Sequence, residues 1–592
     1  MKIRYLNGYR LYNAFLAGGN AVIQDQKYLN KINVFPVPDS DTGTNLASTM
    51  RSIAESTVIS PSFRDTLHSI ADAAISGARG NSGLIFAQFI YGISREIKEE
   101  MKASTRAFGE SVKRAIHYAY KAIVSPVEGT MLTVMKDWAD AVYLQRTSTN
   151  DFVELLSHAL QAAKDSLRLT PQKLSVLAKA GVVDAGAKGF VDFLEGIINF
   201  IKRGRLKDVP KPETQWQDSG IHVRSDRKAI EYRYCSEALL TGRNMDLDKI
   251  RSEIGSFGNS AIVAGSEEKA RLHIHTDRPA DLFFKLKDYG SITQIKVDDM
   301  LKQYEAGFNR KSRIALVTDS ACDLPQEVID EHQIHVIPMN LSFADSLFLD
   351  KVTITPAQFY NLLRTHKQHP QSSQPPLKSI QNLLSFLASH YESIIVVALS
   401  EKLSGFYGLC RTAADNIQDK TISVINSRHL SVSQGLVVLR VAEAIRSGKT
   451  HKEIVTLAEE WISKTKLLAD IQTLKYLVRG GRISPMKGLL AKMLNLKPII
   501  SVDSEGRGVA FGKSFSRRSN MKKIVRMIKS MSQEAEVWNY AIVHAQNLKR
   551  AELYAERLEE ELHLKPAYIV DLSPVVGVHN GIGAVGIGLM SR

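Results

Sequence analysis

Asp39 and Asp41 stand one residue apart in NVFPVPDSDTGTN, residues 33–45. Two carboxylates at i and i+2 in an extended loop reach one side and can share a divalent cation. Hard oxygen ligands of this kind suit Mg²⁺. Thr42, Gly43, Thr44 and Asn45 follow at once, with backbone amides and side chains suited to anionic oxygens. A second cluster, SGARGNSG at 76–83, opens an apolar run. Its glycines let backbone approach a phosphate, and a helix N-terminus favours negative charge. Each cluster has an ordinary counterpart, since a lone D-x-D is more often an Asx-turn with helix caps. Two such clusters in one helical region favour phosphate.

Two further constellations carry chemistry. His273 and His275 alternate in RLHIHTD and so share one face of a strand, with Cys235 upstream in YRYCSE. Cys plus two His is a three-ligand zinc set with an open fourth position. Spacing alone favours two strand histidines and an ordinary buried cysteine. Beyond residue 312, SSQPP, LSEKLSGFYG, LKYLVRGGRIS and VHNGIGAVGIG read as polar turns beside strand ends, where ligands of α/β folds bind. Ser372, Ser404 and His579 could converge there on one carboxylate or phosphate; singly, they read as turn serines and a loop histidine.

The elements that must position these groups follow from texture. At 592 residues the chain needs three or four domains. Residues 1–203 carry apolar residues at helical spacing, and 204–229 is charged and proline-bearing, as a linker would be. Residues 230–305 turn to a small α+β texture, with a hairpin predicted over AIVAGSEEKARLHIHTD. A second linker is expected at 306–312, and 313–592 alternates strands and helices as an α/β domain. A net charge of +15 favours anionic partners or reflects a solvated basic surface. No nucleic-acid motif is present, so no nucleic acid is expected. KSFSRRSNMKKIVRMIKS, 513–530, holds seven basic residues and no acidic one. It suits an acidic protein surface, an acyl phosphate, an anionic membrane or a plain solvated helix face. Three scattered cysteines fit a reducing compartment. No window approaches 18 apolar residues, so a cytoplasmic protein without a membrane span is expected, peripheral contact aside.

NVFPVPDSDTGTN, GARGNSG, SPVEGTMLTV and GVVDAGAKG, in that order over 1–203, resemble the four signature segments of the dihydroxyacetone-kinase nucleotide-binding (DhaL) domain, and more closely its version in the fatty acid kinase component FakA. The resemblance implies an all-α DhaL-like helical barrel binding ATP, with Mg²⁺ on Asp39 and Asp41. Asn33 stands near where glycerone kinases carry a third aspartate. Thr42, Thr44, Asn45, Ser82 and Gly83 would contact phosphates, and Thr130 and Asp184 would line the nucleotide pocket. Ser40 replaces the family's usual glycine, and the loop is expected to survive unless φ > 0 is required there. YCSEALL, GNSAIVAG, HIHTDRP and YGSIT resemble the FakA central domain, which implies Zn²⁺ on Cys235, His273 and His275. Residues 313–592 resemble the two-lobed DegV family, of the FakB type that binds a fatty acid. Ser372-Ser373-Gln374-Pro375 stands for T-S-Q-P, Ser404-Gly405-Phe406-Tyr407 for S-G-T-Y, and Ile582 replaces a proline within the terminal H-x-G-x-G-A-x-G. Ser372, Ser404 and His579 would hold the acyl carboxyl group, with Arg482 nearby.

The implied function is ATP-dependent phosphorylation of a bound long-chain fatty acid to acyl phosphate by a fused kinase and lipid carrier. Implied partners are ATP, the fatty acid, an acyltransferase that uses acyl phosphate, and a transient anionic membrane surface. Transfer within one chain or between chains of a homodimer is left open. The alternative is a fatty-acid-binding or transport protein whose kinase-like half is regulatory or inactive. A dihydroxyacetone-type kinase would need a sugar-binding domain with a substrate-linking histidine, and none is visible.

Overall fold

The computed structural model describes residues 2–36, 40–98, 101–203, 230–366, 368–481, 497–514 and 516–592. Asp39, Arg482 and the expected linker at 204–229 lie outside the described residues. The chain divides into two compact units, Met1–Arg278 with Lys285–Leu301, and Pro279–Phe284 with Lys302–Arg592.

The first unit begins all-helical: α1 (Gly8–Gln24), α2 (Gln26–Lys31), α3 (Thr42–Ser56), α4 (Phe63–Gly77), α5 (Gly80–Glu96), α6 (Thr105–Ala122), α7 (Met131–Gln145), α8 (Phe152–Lys173), α9 (Ser175–Ala180) and α10 (Ala185–Arg203). Side-chain caps start several of them: Ser62 accepts from the Asp65 amide, Ser104 from Ala107 and Asp151 from Val153. The apolar periodicity read from the sequence becomes one core, in which Phe86 and Phe193 meet edge to face at 5.0 Å between ring centroids.

A four-stranded antiparallel sheet follows, ordered β2-β3-β1-β4, with β1 Tyr234–Thr241, β2 Gly258–Gly265, β3 Lys269–Thr276 and β4 Ser291–Asp299. The predicted hairpin is β2–β3, closed at Ser266–Lys269 by reciprocal backbone bonds. Its Ile262 and Ala264 join the helical core. The Gly265 amide donates to Gln88 Oε1 at 2.7 Å, and the Val124 amide to the Ala261 carbonyl at 3.1 Å. Bundle and sheet therefore share one interior.

The second unit is α/β. β5 (Ile314–Asp319), β6 (His335–Ile337), β10 (Ser393–Ala398) and β11 (Thr421–Asn426) form a parallel sheet ordered β11-β10-β5-β6. Strand β10, SIIVVA, is buried throughout, as a strand covered on both faces must be. β7 (Asn340–Phe343), β8 (Ser346–Leu349) and β9 (Gln371–Ser373) make a small antiparallel sheet. The last lobe is a six-stranded sheet ordered β14-β13-β12-β17-β15-β16. It comprises β12 (Thr465–Asp470), β13 (Lys497–Val502), β14 (Gly508–Ser514), β15 (Val537–His544), β16 (Ile569–Asp571) and β17 (Val585–Ser591).

The stretch 306–312, expected to be a linker, instead begins inside the helix Met300–Phe308. Ala306 there is fully buried, and Lys302 reaches Asp330 at 3.2 Å, so packing rather than composition decides these residues. Among the described residues no helix is long and apolar enough to cross a membrane.

Candidate functional site

In the first unit, four helix N-termini meet. Asp41 is the N-cap residue of α3; its carbonyl accepts the Asn45 amide at 2.8 Å, while its carboxylate makes no capping bond. Thr42 Oγ1 donates to Asn33 Oδ1 at 2.8 Å, and both residues are buried. Asn45 packs against Gly80, the first residue of α5. Gly80 has φ +55, and a Cβ there would lie 2.1 Å from Asn45 Nδ2. Glycine is thus required twice over, by backbone and by space. From α5, Ser82 Oγ reaches Gly186 at the start of α10, where a Cβ would lie 2.8 Å away. The same Cβ would sit 3.4 Å from both Asp184 Oδ1 and Met131 Cβ, at the start of α7.

Asp184 ties two of these ends together. Its Oδ1 accepts the Ala187 amide at 2.8 Å, and its own amide donates to Thr170 Oγ1. Burial raises its carboxyl to about 6, against the pull of the Ala187, Met131 and Gly186 amides. Thr130, the N-cap of α7, donates its hydroxyl to the Val127 carbonyl at 2.7 Å. Helix dipoles gathered in this way favour an anion.

Two expected phosphate contacts are otherwise engaged. The Thr44 amide donates to Asn30 Oδ1 at 3.0 Å, and its hydroxyl accepts from Asn30 and Gln26, so Thr44 faces α2. The Gly83 amide donates to the Arg79 carbonyl, and a Cβ there would lie 2.7 Å from Thr49 Oγ1, so Gly83 serves close helix packing. Asn81, in the same GARGNSG segment, has its Oδ1 buried without a partner among the described residues, a signal that residue type alone does not carry. Ser40 has φ +56, so the loop does use the left-handed region, which serine enters at a cost of about 1–2 kcal/mol.

The middle sheet supplies the second cluster. Strand register places Cys235 opposite His275 and Glu237 opposite His273. Donor atoms of Cys235, His273 and His275 lie within 4.8 Å of one another, all three buried. His273 Nδ1 sits 3.8 Å from the Cys235 sulfur and 3.4 Å from Glu237 Oε1; its Nε2 has no partner among the described residues. Burial and the neighbouring His273 hold His275 down at about 3, and burial with nearby Glu237 raises the Cys235 thiol. A soft N,N,S donor set with an orphaned ring nitrogen fits a zinc ion.

Glu237 was not foreseen, although its place two residues after Cys235 put it on the same face. Its carboxylate accepts the Gly80 amide at 2.6 Å and Arg79 Nη1 at 3.1 Å. Burial works against its charge, but the His273 bond and the charges of Lys296 and Arg79 hold its carboxyl well below the usual range. The sheet is thereby fastened to the first turn of α5.

In the second unit, Ser372 on β9 and His579 meet, with Oγ 3.0 Å from Nε2. His579 lies in the last turn of the helix Pro574–Asn580, whose start is held by buried acidic side chains. Asp323 accepts from the Ser573 amide at 2.9 Å, and Asp350 from the Val575 amide at 3.1 Å. Ser404 Oγ accepts the Phe406 amide at 3.3 Å, so its hydroxyl hydrogen remains to donate. A Cβ on Gly405 would lie 2.8 Å from Gln374 Oε1, which sets the Ser404 turn beside the Ser372 strand. Phe406 is wholly buried at the head of its helix.

Three family descriptions match the chain in order: the DAK2 domain over 36–199, the middle domain of the FakA-like fatty acid kinase type over 231–307, and the uncharacterised DegV family over 313–592. Curated relatives include an uncharacterized protein of Staphylococcus epidermidis, 34% identical over 312 residues, which are 51% of this chain and 56% of that one. Another, from Staphylococcus aureus, is 32% identical over 323 residues, 53% and 59% of the two chains. The chain thus spans little more than half the length of the curated relatives it matches. Among solved structures, DegV, a fatty acid binding protein from Bacillus subtilis, aligns at 27% identity with a TM-score of 0.45, covering 48% of this chain and all of that one.

Proposed function

We propose that this chain, which carries a DAK2 domain, a FakA-like middle domain and a DegV domain in that order, phosphorylates the carboxylate of a bound long-chain fatty acid with ATP. The observation that carries the reading is that order: a phosphoryl-donor fold and a fold of the lipid-carrier type in one polypeptide. We place the divisions near 203, 230, 305 and 313.

In this reading Asp41, whose carboxylate is not spent on its helix, and Asp39 would hold Mg²⁺. Asn33 would fix Thr42, Asn45 and Ser82 would face the phosphates, and Thr130 and Asp184 would frame the nucleotide. Bound magnesium would neutralise part of the triphosphate charge. Cys235, His273 and His275 would hold zinc, with Glu237 steadying His273 as a carboxylate partner. Zinc there would brace the sheet or polarise an oxygen in its fourth position. Ser372, Ser404, His579 and, by resemblance, Arg482 would hold the acyl carboxylate. That carboxylate is ionised at neutral pH, so no general base is required and the task is positioning. Each CH₂ of the acyl tail moved from water into an apolar interior contributes about 0.8 kcal/mol. The exposed basic side chains Arg518, Lys522, Arg526 and Lys529 on the helix Arg517–Glu534 suit a transient anionic membrane or an acidic acyltransferase.

The test is hydroxamate trapping of acyl phosphate from purified protein, Mg-ATP and a long-chain fatty acid. Wild type should form product, and Asp41→Ala should form none while still binding lipid. Asp41→Ala turning over at the wild-type rate would sink the assignment. A second reading, a fatty-acid carrier with an inactive helical half, draws on Ser40 in its left-handed position. It predicts bound lipid and no product.

A further inference from the structure

The face of the middle sheet that carries Cys235, Glu237, His273 and His275 also bears Lys269, Arg271 and Lys296 and is met by Arg79; Lys269 is paired with Asp72 at 3.0 Å, and the other three are not equivalent. Arg79, the N-cap residue of α5, is pinned to Glu237 at 3.1 Å. Arg271 is fully buried; its Nη1 donates to the Ser76 carbonyl at 3.0 Å and to Gln294 Oε1 at 2.7 Å. The third is Lys296. On β4 it lies opposite Glu237, and Asp298 lies opposite Cys235, so both project on the Cys/His side.

Lys296 is the most exposed of these cations. Its side chain is 40% exposed, and its Nζ pairs with Asp298 Oδ2 at 2.6 Å. Dehydration works against its charge, yet the carboxylates of Asp298 and Glu237 raise its pKa. The Gly80 amide, bonded to Glu237, brings the phosphate-cradling turn of α5 to the same face. Through Glu237, Lys296 thus shares its face with the α5 N-terminus and the Cys/His cluster.

We propose that Lys296 is the cation that contacts the transferring phosphoryl group, and that Glu237 is a positioning residue joining the phosphate turn to this face. The inference rests on the kinase reading above. In that reaction a carboxylate oxygen of the fatty acid forms a bond to the γ-phosphorus of ATP. The bond from that phosphorus to the bridging oxygen breaks, and its electron pair leaves with ADP. No proton is exchanged. Two anions must approach, and Asp41 with its metal addresses only the nucleotide side. A compact ammonium on the facing sheet meets the charge spread over the transferring oxygens.

Lys296→Met and Lys296→Arg, in the full chain, test this by hydroxamate trapping with Mg-ATP and a long-chain fatty acid, alongside calorimetric binding of Mg-ADP. The Met variant should lose turnover by about a hundredfold while its ADP affinity stays within about threefold of wild type. The Arg variant, which keeps the charge, should recover at least about a tenth of the wild-type rate. A Met variant that turns over within about threefold of wild type overturns the inference and leaves the kinase reading intact. Loss of ADP affinity in proportion to turnover overturns it too, since Lys296 would then serve ground-state binding or folding. A wild-type protein that binds fatty acid and makes no hydroxamate overturns the kinase reading, and this inference with it.

Discussion

Ser372 Oγ lies 3.0 Å from His579 Nε2 although 207 residues separate the two in sequence. The bond joins a short strand to the last turn of a seven-residue helix, and a polar pair so placed can grip a carboxylate from two sides. His579→Ala should lower fatty-acid affinity by about ten- to a hundredfold, the loss expected for one charge-assisted hydrogen bond, and Ser372→Ala by about tenfold. Titration with a fluorescent fatty acid reads both. Unchanged affinity in His579→Ala would move the carboxylate away from this pair.

Ser40 holds φ +56 between the two loop aspartates. Ser40→Gly should leave stability within about 1 kcal/mol of wild type, because the relieved strain is offset by the added freedom of the unfolded chain. Ser40→Val, β-branched at a left-handed position, should cost more than about 1 kcal/mol and weaken Mg-ADP binding. Denaturant unfolding and calorimetry separate the two variants. Equal behaviour of Gly and Val would mean the loop does not depend on this backbone state.

Three buried donors in the first unit and two buried thiols in the second make a metal test with its own controls. Protein prepared with zinc should carry about one ion per chain, and Cys235→Ala or His275→Ala should reduce this to under about a tenth. Cys322→Ser and Cys410→Ser should leave the metal content unchanged. Elemental analysis decides, and zinc retained in both ligand variants would exclude this cluster.

Asp350 is wholly buried, and burial pushes its carboxyl up to about 7, against Lys351 and the Ser320 bond. A carboxyl whose folded pKa lies above its unfolded value binds its proton more tightly when folded. Its contribution is full below about 4 and is lost as pH rises towards 7. Asp319, raised by burial to about 6, adds to the lower part of that fall. Asp350→Asn keeps an acceptor for the Val575 amide and removes the titration. It should therefore flatten the pH dependence of denaturant stability between about 6 and 7. A wild-type stability that climbs with pH over that interval would refute the assignment.

Much of the architecture was legible because it rests on period and punctuation. His273 and His275 share a face because alternate residues of any strand do, and the β2–β3 hairpin followed from an apolar run, a polar turn and an alternating run. What pairs across strands was not legible. Cys235 opposite His275, and Lys296 opposite Glu237, are matters of register, and a bulge after Glu237 shifts the β1–β4 pairing midway. Helix orientation hid the rest. Thr44 and Gly83 sit in motif segments yet turn to α2 and α3, and nothing local says which side of a helix meets its neighbour. The stretch 306–312 looked like a linker by composition, and burial of Ala306 keeps its first residues helical.

The short turn at Ser266–Lys269 sets which way every later side chain of β3 points. One residue inserted or deleted there would send Arg271, His273 and His275 to the opposite side of the sheet, since side chains alternate with a period of two. The three would leave Cys235 and Glu237 together, in a single event. The turn is thus a ruler for the Cys/His face: its length, more than its chemistry, aligns the three side chains with β1.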